Sequence, residues 1–181
     1  KKPVLVVGGG AHISGCYQQV RDLVEHLRVP VITSISGKGI IEETHPQSFG
    51  VTGTFGNPVA KDIMKDADLV FFIGCKGGQL TTFGYVIPGP DIPVIHLDTD
   101  PEEIGRNYPD SIPLVADASL GLDAMLTSLV GMKPAVDWDF ESNKQKLQQW
   151  RQEIVQPDMG SEERLRPQAI MGVVNQAITD E

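Results

Sequence analysis

The stretch Val94-Ile-His-Leu-Asp-Thr-Asp-Pro-Glu-Glu-Ile-Gly-Arg-Asn-Tyr108 decides the fold class. Its first half is a short, almost wholly apolar run, and its second half opens with proline and two glutamates. The run reads as a buried strand that ends in two carboxylates, Asp98 and Asp100. Pro101, Glu102 and Glu103 carry the signals of a helix start, because proline fits the first helical position and acidic groups favour the first turn. Residues two apart on a strand point the same way, so the spacing predicts Asp98 and Asp100 on one side. Carboxylates at the carboxyl end of a strand, in a chain that alternates strands and helices, face the crevice in which open parallel sheets hold ligands. Capping of the following turn is the competing use for the same residues.

The rest of the chain repeats this alternation. Val4–Val7, Pro30–Thr33, Leu69–Ile73, Pro93–Leu97 and Ile112–Val115 are apolar runs of strand length. Between Ser14 and Leu27 the period turns helical, with Val20, Leu23, Val24 and Leu27 on one face and Ser14 as the expected N-cap. Residues 34–56, with five glycines, are expected to form a long irregular loop, and residues 81–90 a second one. Asn57 is placed to cap a helix from Pro58 to Lys65, and Asp117 to cap one through Leu129 that carries Leu122, Met125, Leu126 and Leu129 on its face. Strands that are apolar throughout need cover on both faces. The pattern predicts a doubly wound parallel α/β sheet, Rossmann-like and of about six strands, with helices on both faces and a C-terminal helical tail.

The tail differs in texture. Lys133-Pro134 opens a linker, residues 139–156 form a polar helix with sparse apolar contacts, and 157–160 break it. A last amphipathic helix starts near Pro167 with Ile170, Val173, Val174 and Ile178. An apolar face with no following element to cover it suggests the start of a further domain. The organisation expected is 1–131 as the α/β domain, 132–165 as a linker with a polar helix, and 166–181 as the beginning of another unit. Trp138 and Trp150 read as anchors for a neighbouring domain.

Composition narrows function by exclusion. The chain has 181 residues and a formal charge of -9, from 24 acidic and 15 basic side chains. That balance opposes a nucleic-acid partner, whose phosphates require clustered Lys and Arg. No run approaches the roughly 20 apolar residues of a membrane helix, and no charged-then-apolar leader opens the chain. Cys16 and Cys75 lack metal-type spacing and read as reduced thiols of a cytoplasmic protein. The four histidines are scattered without ligand spacing, so no metal site is expected. His12 stands two residues from Ser14, but that proximity does not make a triad.

Two glycine-rich segments carry the candidate chemistry. Gly8-Gly-Gly-Ala-His-Ile-Ser-Gly15 supplies the first two glycines of a dinucleotide fingerprint, but Ile13 stands where the third belongs. The end of the second strand reads Thr33-Ser34, not the acidic residue that would hold a ribose. An NAD dehydrogenase is therefore disfavoured, whereas an anion at the start of the first helix stays open. In Gly74-Cys-Lys-Gly-Gly-Gln-Leu-Thr-Thr82, small residues allow a ligand near the backbone and Lys76 can neutralise a phosphate; a solvated surface lysine is the plainer reading.

Taken in order, Gly8–Gly15, Ser36-Gly-Lys-Gly39, His45-Pro46, Gly53-Thr-Phe-Gly56, Ala67-Asp68, residues 95–108 and Ala116-Asp117-Ala118 form a series. It resembles the central domain of thiamine-diphosphate-dependent enzymes of the acetolactate synthase-like group, over roughly residues 1–130. The resemblance implies a parent carboligase or decarboxylase, a transferase or lyase acting on 2-keto acids. In it, flanking pyrimidine-binding and diphosphate-binding domains hold thiamine diphosphate and Mg²⁺ in a homo-oligomer, while this segment is catalytically silent. It implies further that several members bind FAD here, whereas others keep the fold without flavin. In that case Gly53 and Gly56 lie toward the flavin, Gly74, Lys76 and Thr81 along the diphosphate, and Asp98, Asp100, Glu103 and Asp117 toward the adenosine. Flavin-binding relatives tend to carry an arginine and acidic residues after the third strand, where this chain has Cys75-Lys76-Gly77-Gly78, and lysine offers a point charge in place of a planar fork. Two alternatives stand beside this reading: a free-standing nucleotide-binding module of electron-transfer flavoprotein type, and a sirtuin-type deacylase, which would need more cysteines than the two present.

Overall fold

The computed structural model describes residues 1–133, 136–155 and 167–178. Two compact units are present, Lys1–Phe140 and Glu141–Glu181. The first is built on six strands: β1 Pro3–Val7, β2 Val31–Thr33, β3 Ser48–Val51, β4 Leu69–Ile73, β5 Val94–Asp98 and β6 Ile112–Val115. All pairings are parallel and the order is β3-β2-β1-β4-β5-β6. The chain winds outward from β1 to β3, returns to the middle at β4, and winds outward again. This is the doubly wound α/β topology, with its switch point between β1 and β4.

Each strand sends alternate side chains to opposite faces. Leu5, Val7, Val31, Phe71, Ile73 and Leu97 face α2 (Tyr17–Leu27) and α4 (Ala118–Ser128), which contribute buried Val20, Leu23, Val24 and Leu122. Leu27, Met125, Leu126 and Leu129 pack against the same cluster. The other face carries Val4, Val6, Ile32, Phe72 and His96, all buried. It is covered in part by α3 (Pro58–Asp66), whose Val59, Ala60, Ile63 and Met64 are buried.

Four local expectations are corrected. The helix expected from Ser14 is two helices: α1, Gly9–Ser14, is closed by Gly15, whose N–H reaches the carbonyls of Ala11 and His12, and α2 starts at Tyr17. Ser14 does not cap its own helix; its Oγ donates to Asp117 Oδ1 at 2.7 Å and accepts from Ser119 N at 2.7 Å, which ties α1 to the start of α4. The loop expected over 34–56 contains a 3₁₀ turn at Ile35–Gly37 and strand β3. Val31 N donates to Gln47 O at 2.9 Å, so the open edge of β2 draws this weakly apolar segment into the sheet. Finally, no α-helix follows Pro101. Residues 101–107 form successive turns, with Glu103 N to Asp100 O at 3.2 Å and Arg106 N to Glu103 O at 3.3 Å.

The unit also reaches past residue 131, because residues 136–140 fold back on it. Asp137 N donates to Lys1 O at 2.9 Å, Trp138 Nε1 to Pro3 O at 2.8 Å, and the Phe140 ring lies 6.1 Å from Phe49. Trp138 is thus tied to this domain's own first strand.

Asn57 carries a concentrated structural role. Its Oδ1 accepts from Ala60 N at 2.8 Å as the cap of α3, and its Nδ2 donates to Phe49 O at 2.8 Å and Val51 O at 3.2 Å. Replacement by alanine removes the cap and the side-chain donor to Phe49 O, while Val51 O keeps the Asn57 backbone N–H, an expected loss of about 2–3 kcal/mol. Asn57→Ser keeps a cap and recovers about 1 kcal/mol of that loss. Urea denaturation of both variants checks the difference; equal loss would show that the cap contributes nothing.

Helix α5 spans Phe140–Val155, all but its first residue belonging to the second unit, and α6 spans Pro167–Ala177. Leu147 is buried and Trp150 half-buried, while Ile170, Val173, Val174 and Ile178 are exposed. The linker residues 134–135, Gln156 and the expected break at 157–160 lie outside the described residues. Among the described residues, no helix is long and apolar enough to cross a membrane.

Candidate functional site

The switch point opens a cleft of about 480 Å³ above the carboxyl ends of β1 and β4. Its floor is backbone. Gly8 N donates to Ile73 O at 2.9 Å and Gly10 N to Gly74 O at 2.9 Å. A Cβ on Gly8 would lie 2.3 Å from Gly74 O, and one on Gly74, at φ 51°, would lie 2.7 Å from Ala11 N. The two glycine turns are therefore small because they touch each other. Their amides serve that contact first, and Ala11 N is taken by Gly8 O. The result is a flat floor with no side chain rising from it.

The walls come from two loops. Ser34 and Ser36 close one side, with Ser34 Oγ accepting from Gly37 N at 3.2 Å. Residues 76–81 close the other, ending in exposed Leu80. Ile13, where a fingerprint glycine was sought, is 92% exposed at the mouth. None of the lining residues is acidic and one, Lys76, is basic.

The expected site residues divide. Gly74, Lys76 and Thr81 line the cleft. Asp98 and Asp117 meet in a smaller notch of about 80 Å³, which Gly10, Ile13 and Gly74 share with the cleft. Gly53 and Gly56 stand behind the wall: Thr54 N donates to Leu80 O at 2.8 Å, and Gly56 N to Gly53 O at 2.8 Å. Asp98 and Asp100 do not form a pair on one strand, because β5 ends at Asp98. Each turns back on the chain: Asp98 Oδ1 accepts from Asp100 N at 3.0 Å and Asp100 Oδ1 from Glu102 N at 2.9 Å. Asp117 caps α4 through Ser119 N and Leu120 N, and the Ser14 hydroxyl with those amides holds its carboxyl below the usual range. Glu103 comes to Lys76, with Nζ to Oε1 at 3.1 Å, and takes Arg106 Nη1 on the same oxygen at 3.1 Å.

The nucleophile candidates are quiet. Cys75 and Cys16 are buried, and desolvation pushes each thiol up to about 11. His12 spends its ring nitrogens on Tyr17 Oη at 3.0 Å and Lys38 O at 3.1 Å. His96 is a core histidine, 2% exposed and edge-on to Phe72; burial lowers its pKa, against the opposing pull of Asp98. Among the described residues, no group of three or more His, Cys, Asp or Glu could hold a metal ion. A second cavity of about 520 Å³ lies by the amino ends of β5 and β6, but Asp91 and Asp110 line it and no cation does, so an anion is disfavoured there.

Arg106 is the functional candidate that the sequence reading passed over. Its signal was present as an acid–base pair three residues apart, Glu103 and Arg106.

An open parallel sheet with a glycine-floored cleft at its switch point defines a doubly wound α/β domain. A family model described as "Thiamine pyrophosphate enzyme, central domain" matches residues 1–125, and the chain belongs to that family. It is 36% identical over 173 residues to the acetolactate synthase isozyme 3 large subunit of Escherichia coli K12, covering 94% of this chain and 30% of that protein. It is 33% identical over 156 residues to a probable acetolactate synthase large subunit of Methanococcus aeolicus, covering 85% of this chain and 26% of the relative. With the Haemophilus influenzae acetolactate synthase large subunit it shares 36% over 153 residues, or 83% and 26% of the two chains. The chain thus spans less than a third of the length of these relatives. Family membership favours the central-domain reading over a sirtuin-type or electron-transfer flavoprotein-type module.

Proposed function

We propose that this domain is the central scaffold of an acetolactate synthase-like carboligase or decarboxylase acting on 2-keto acids in the cytoplasm, and that its switch-point cleft holds an adenine nucleotide, FAD first among them. In this reading, flanking pyrimidine-binding and diphosphate-binding domains of a homo-oligomeric parent hold thiamine diphosphate and Mg²⁺. Thiamine diphosphate supplies the carbanion-stabilising chemistry. In this reading the domain is a scaffold and supplies no reacting group.

The observation that carries the nucleotide reading is the cleft itself: a flat backbone floor, no acid in the lining, Lys76 at the wall, and an adjoining notch that ends in Asp98. An elongated ligand with an anionic middle and a hydroxyl- or amine-bearing end fits that sequence of environments. Gly74, Lys76 and Thr81 run along the diphosphate, and Asp98 accepts from the adenosine end through the oxygen its turn leaves free. Gly53 and Gly56 support the wall from behind, Asp117 closes the notch, Glu103 holds Lys76, and Asp100 supports the turn after Asp98.

Calorimetric titration of the 181-residue chain with FAD, ADP and CoA tests the proposal. Binding of all three through their shared ADP portion is the expected result. No heat from any of them would leave the domain a scaffold alone. Asp98→Ala is expected to weaken ADP binding by about 1.5–3 kcal/mol, because a charge-assisted bond is lost. Unchanged affinity would assign Asp98 to its turn.

A further inference from the structure

We infer that Arg106 is a positioning residue for anion recognition, acting through Glu103 to release Lys76 to a ligand. The inference rests on the nucleotide reading above and deepens it.

Lys76 is the one charged residue that lines the cleft. Its ammonium donates to Glu103 Oε1 at 3.1 Å, and the Arg106 guanidinium donates to that same oxygen at 3.1 Å. The three side chains are unequal: Glu103 is 11% exposed, Lys76 70% and Arg106 65%. The carboxylate is the nearly buried member, and two exposed cations share its one oxygen at the surface. Asn107 fastens the segments together, its Nδ2 donating to Lys76 O at 3.1 Å and reaching Gly77 O at 3.4 Å. The turn that carries Glu103 and Arg106 is therefore held against the loop that carries Lys76.

A diphosphate entering the cleft competes with Glu103 for the Lys76 ammonium. Were Lys76 the sole partner of Glu103, its capture would strip a nearly buried carboxylate of its counter-charge, and that penalty would be subtracted from ligand binding. Arg106 removes the penalty. It sits three residues from Glu103 on the same turn and stays on the carboxylate when Lys76 leaves. Glu103 thus parks Lys76 at the cleft wall in the absence of ligand, and Arg106 lets it go. This arrangement acts on the charge of the ligand and not on its adenosine.

The test is calorimetry of the 181-residue chain with ADP and with adenosine, comparing the unaltered protein with Arg106→Gln, Arg106→Lys, Lys76→Gln and the Lys76→Gln/Arg106→Gln double variant. Arg106→Gln is expected to weaken ADP about tenfold and leave adenosine unchanged, with Arg106→Lys restoring most of the loss. In the Lys76→Gln background, Arg106→Gln should have no further effect on ADP. Equal losses for ADP and adenosine would make Arg106 merely structural and overturn the inference. Unchanged ADP affinity in Arg106→Gln would overturn it while the nucleotide reading stands. If the unaltered protein binds neither ligand, the nucleotide reading itself fails and takes the inference with it.

Discussion

Gly53→Ala is expected to destabilise the ligand-free domain by about 3 kcal/mol or more, from backbone strain and overpacking together. Gly53 has φ 99°, a conformation that costs any L side chain. A Cβ there would also lie 2.2 Å from Leu80 O and 2.9 Å from Thr81 Cα, both backbone atoms. Neither can retreat cheaply, because Leu80 O accepts from Thr54 N at 2.8 Å. Relief therefore means detaching residues 80–81, one wall of the cleft, from the turn behind them. Gly78 provides the control: nothing lies within 4 Å of a Cβ there, and Gly78→Ala should stay within about 0.5 kcal/mol of the unaltered protein. Urea midpoints at unchanged slope measure both. A Gly53→Ala protein as stable as Gly78→Ala would remove Gly53 from the framework and return it to the ligand-facing role that the family resemblance implies.

Phe72→Ala should cost about 3–5 kcal/mol, the range for deleting a fully buried aromatic ring. Phe72 is 0% exposed. Its ring stands 5.8 Å from His96, edge-on, and 5.5 Å from Tyr108. It also lies beneath the cleft wall, since a Cβ on Gly77 would sit 3.2 Å from Phe72 and 3.1 Å from Tyr108. The cavity should loosen the Tyr108 ring and, through Asn107, the loop that carries Lys76. Two readouts follow: a lower urea midpoint, and a loss of near-ultraviolet tyrosine dichroism that Phe72→Leu, costing about 1.5 kcal/mol or less, largely avoids. A loss below about 2 kcal/mol would mean that residues 101–111 collapse onto the gap and do not rest on this ring.

Residues 101–111 mark where local reading falls short. Pro101 with two acidic neighbours is a sound helix-start signal, yet Asp98 and Asp100 each accept an amide two residues on, which favours turns over a helix. Ser14 shows the same limit at longer range. Its position before an amphipathic run suggested a local cap, but its partners are Asp117 and Ser119, more than a hundred residues away. Strand β3 escaped notice because Ser48-Phe-Gly-Val carries too little apolar signal; the unpaired edge of β2 supplies the rest. Asn57 and Asp117, by contrast, were legible as caps because a cap bonds amides two or three residues on.

The alternation of apolar runs and amphipathic helices, written in residue order, was enough for the parallel α/β class: burying such runs on both faces leaves few other architectures. The family resemblance was equally readable, since it lies in ordered short segments. The order of strands, and with it the switch point between β1 and β4, came from folding. So did the partners of the polar groups around it. A carboxylate can serve a ligand, a backbone amide or a cation, and which it serves depends on what the sheet brings beside it. Folding set Glu103 against Lys76 and Arg106, and turned Asp100 back onto its own chain.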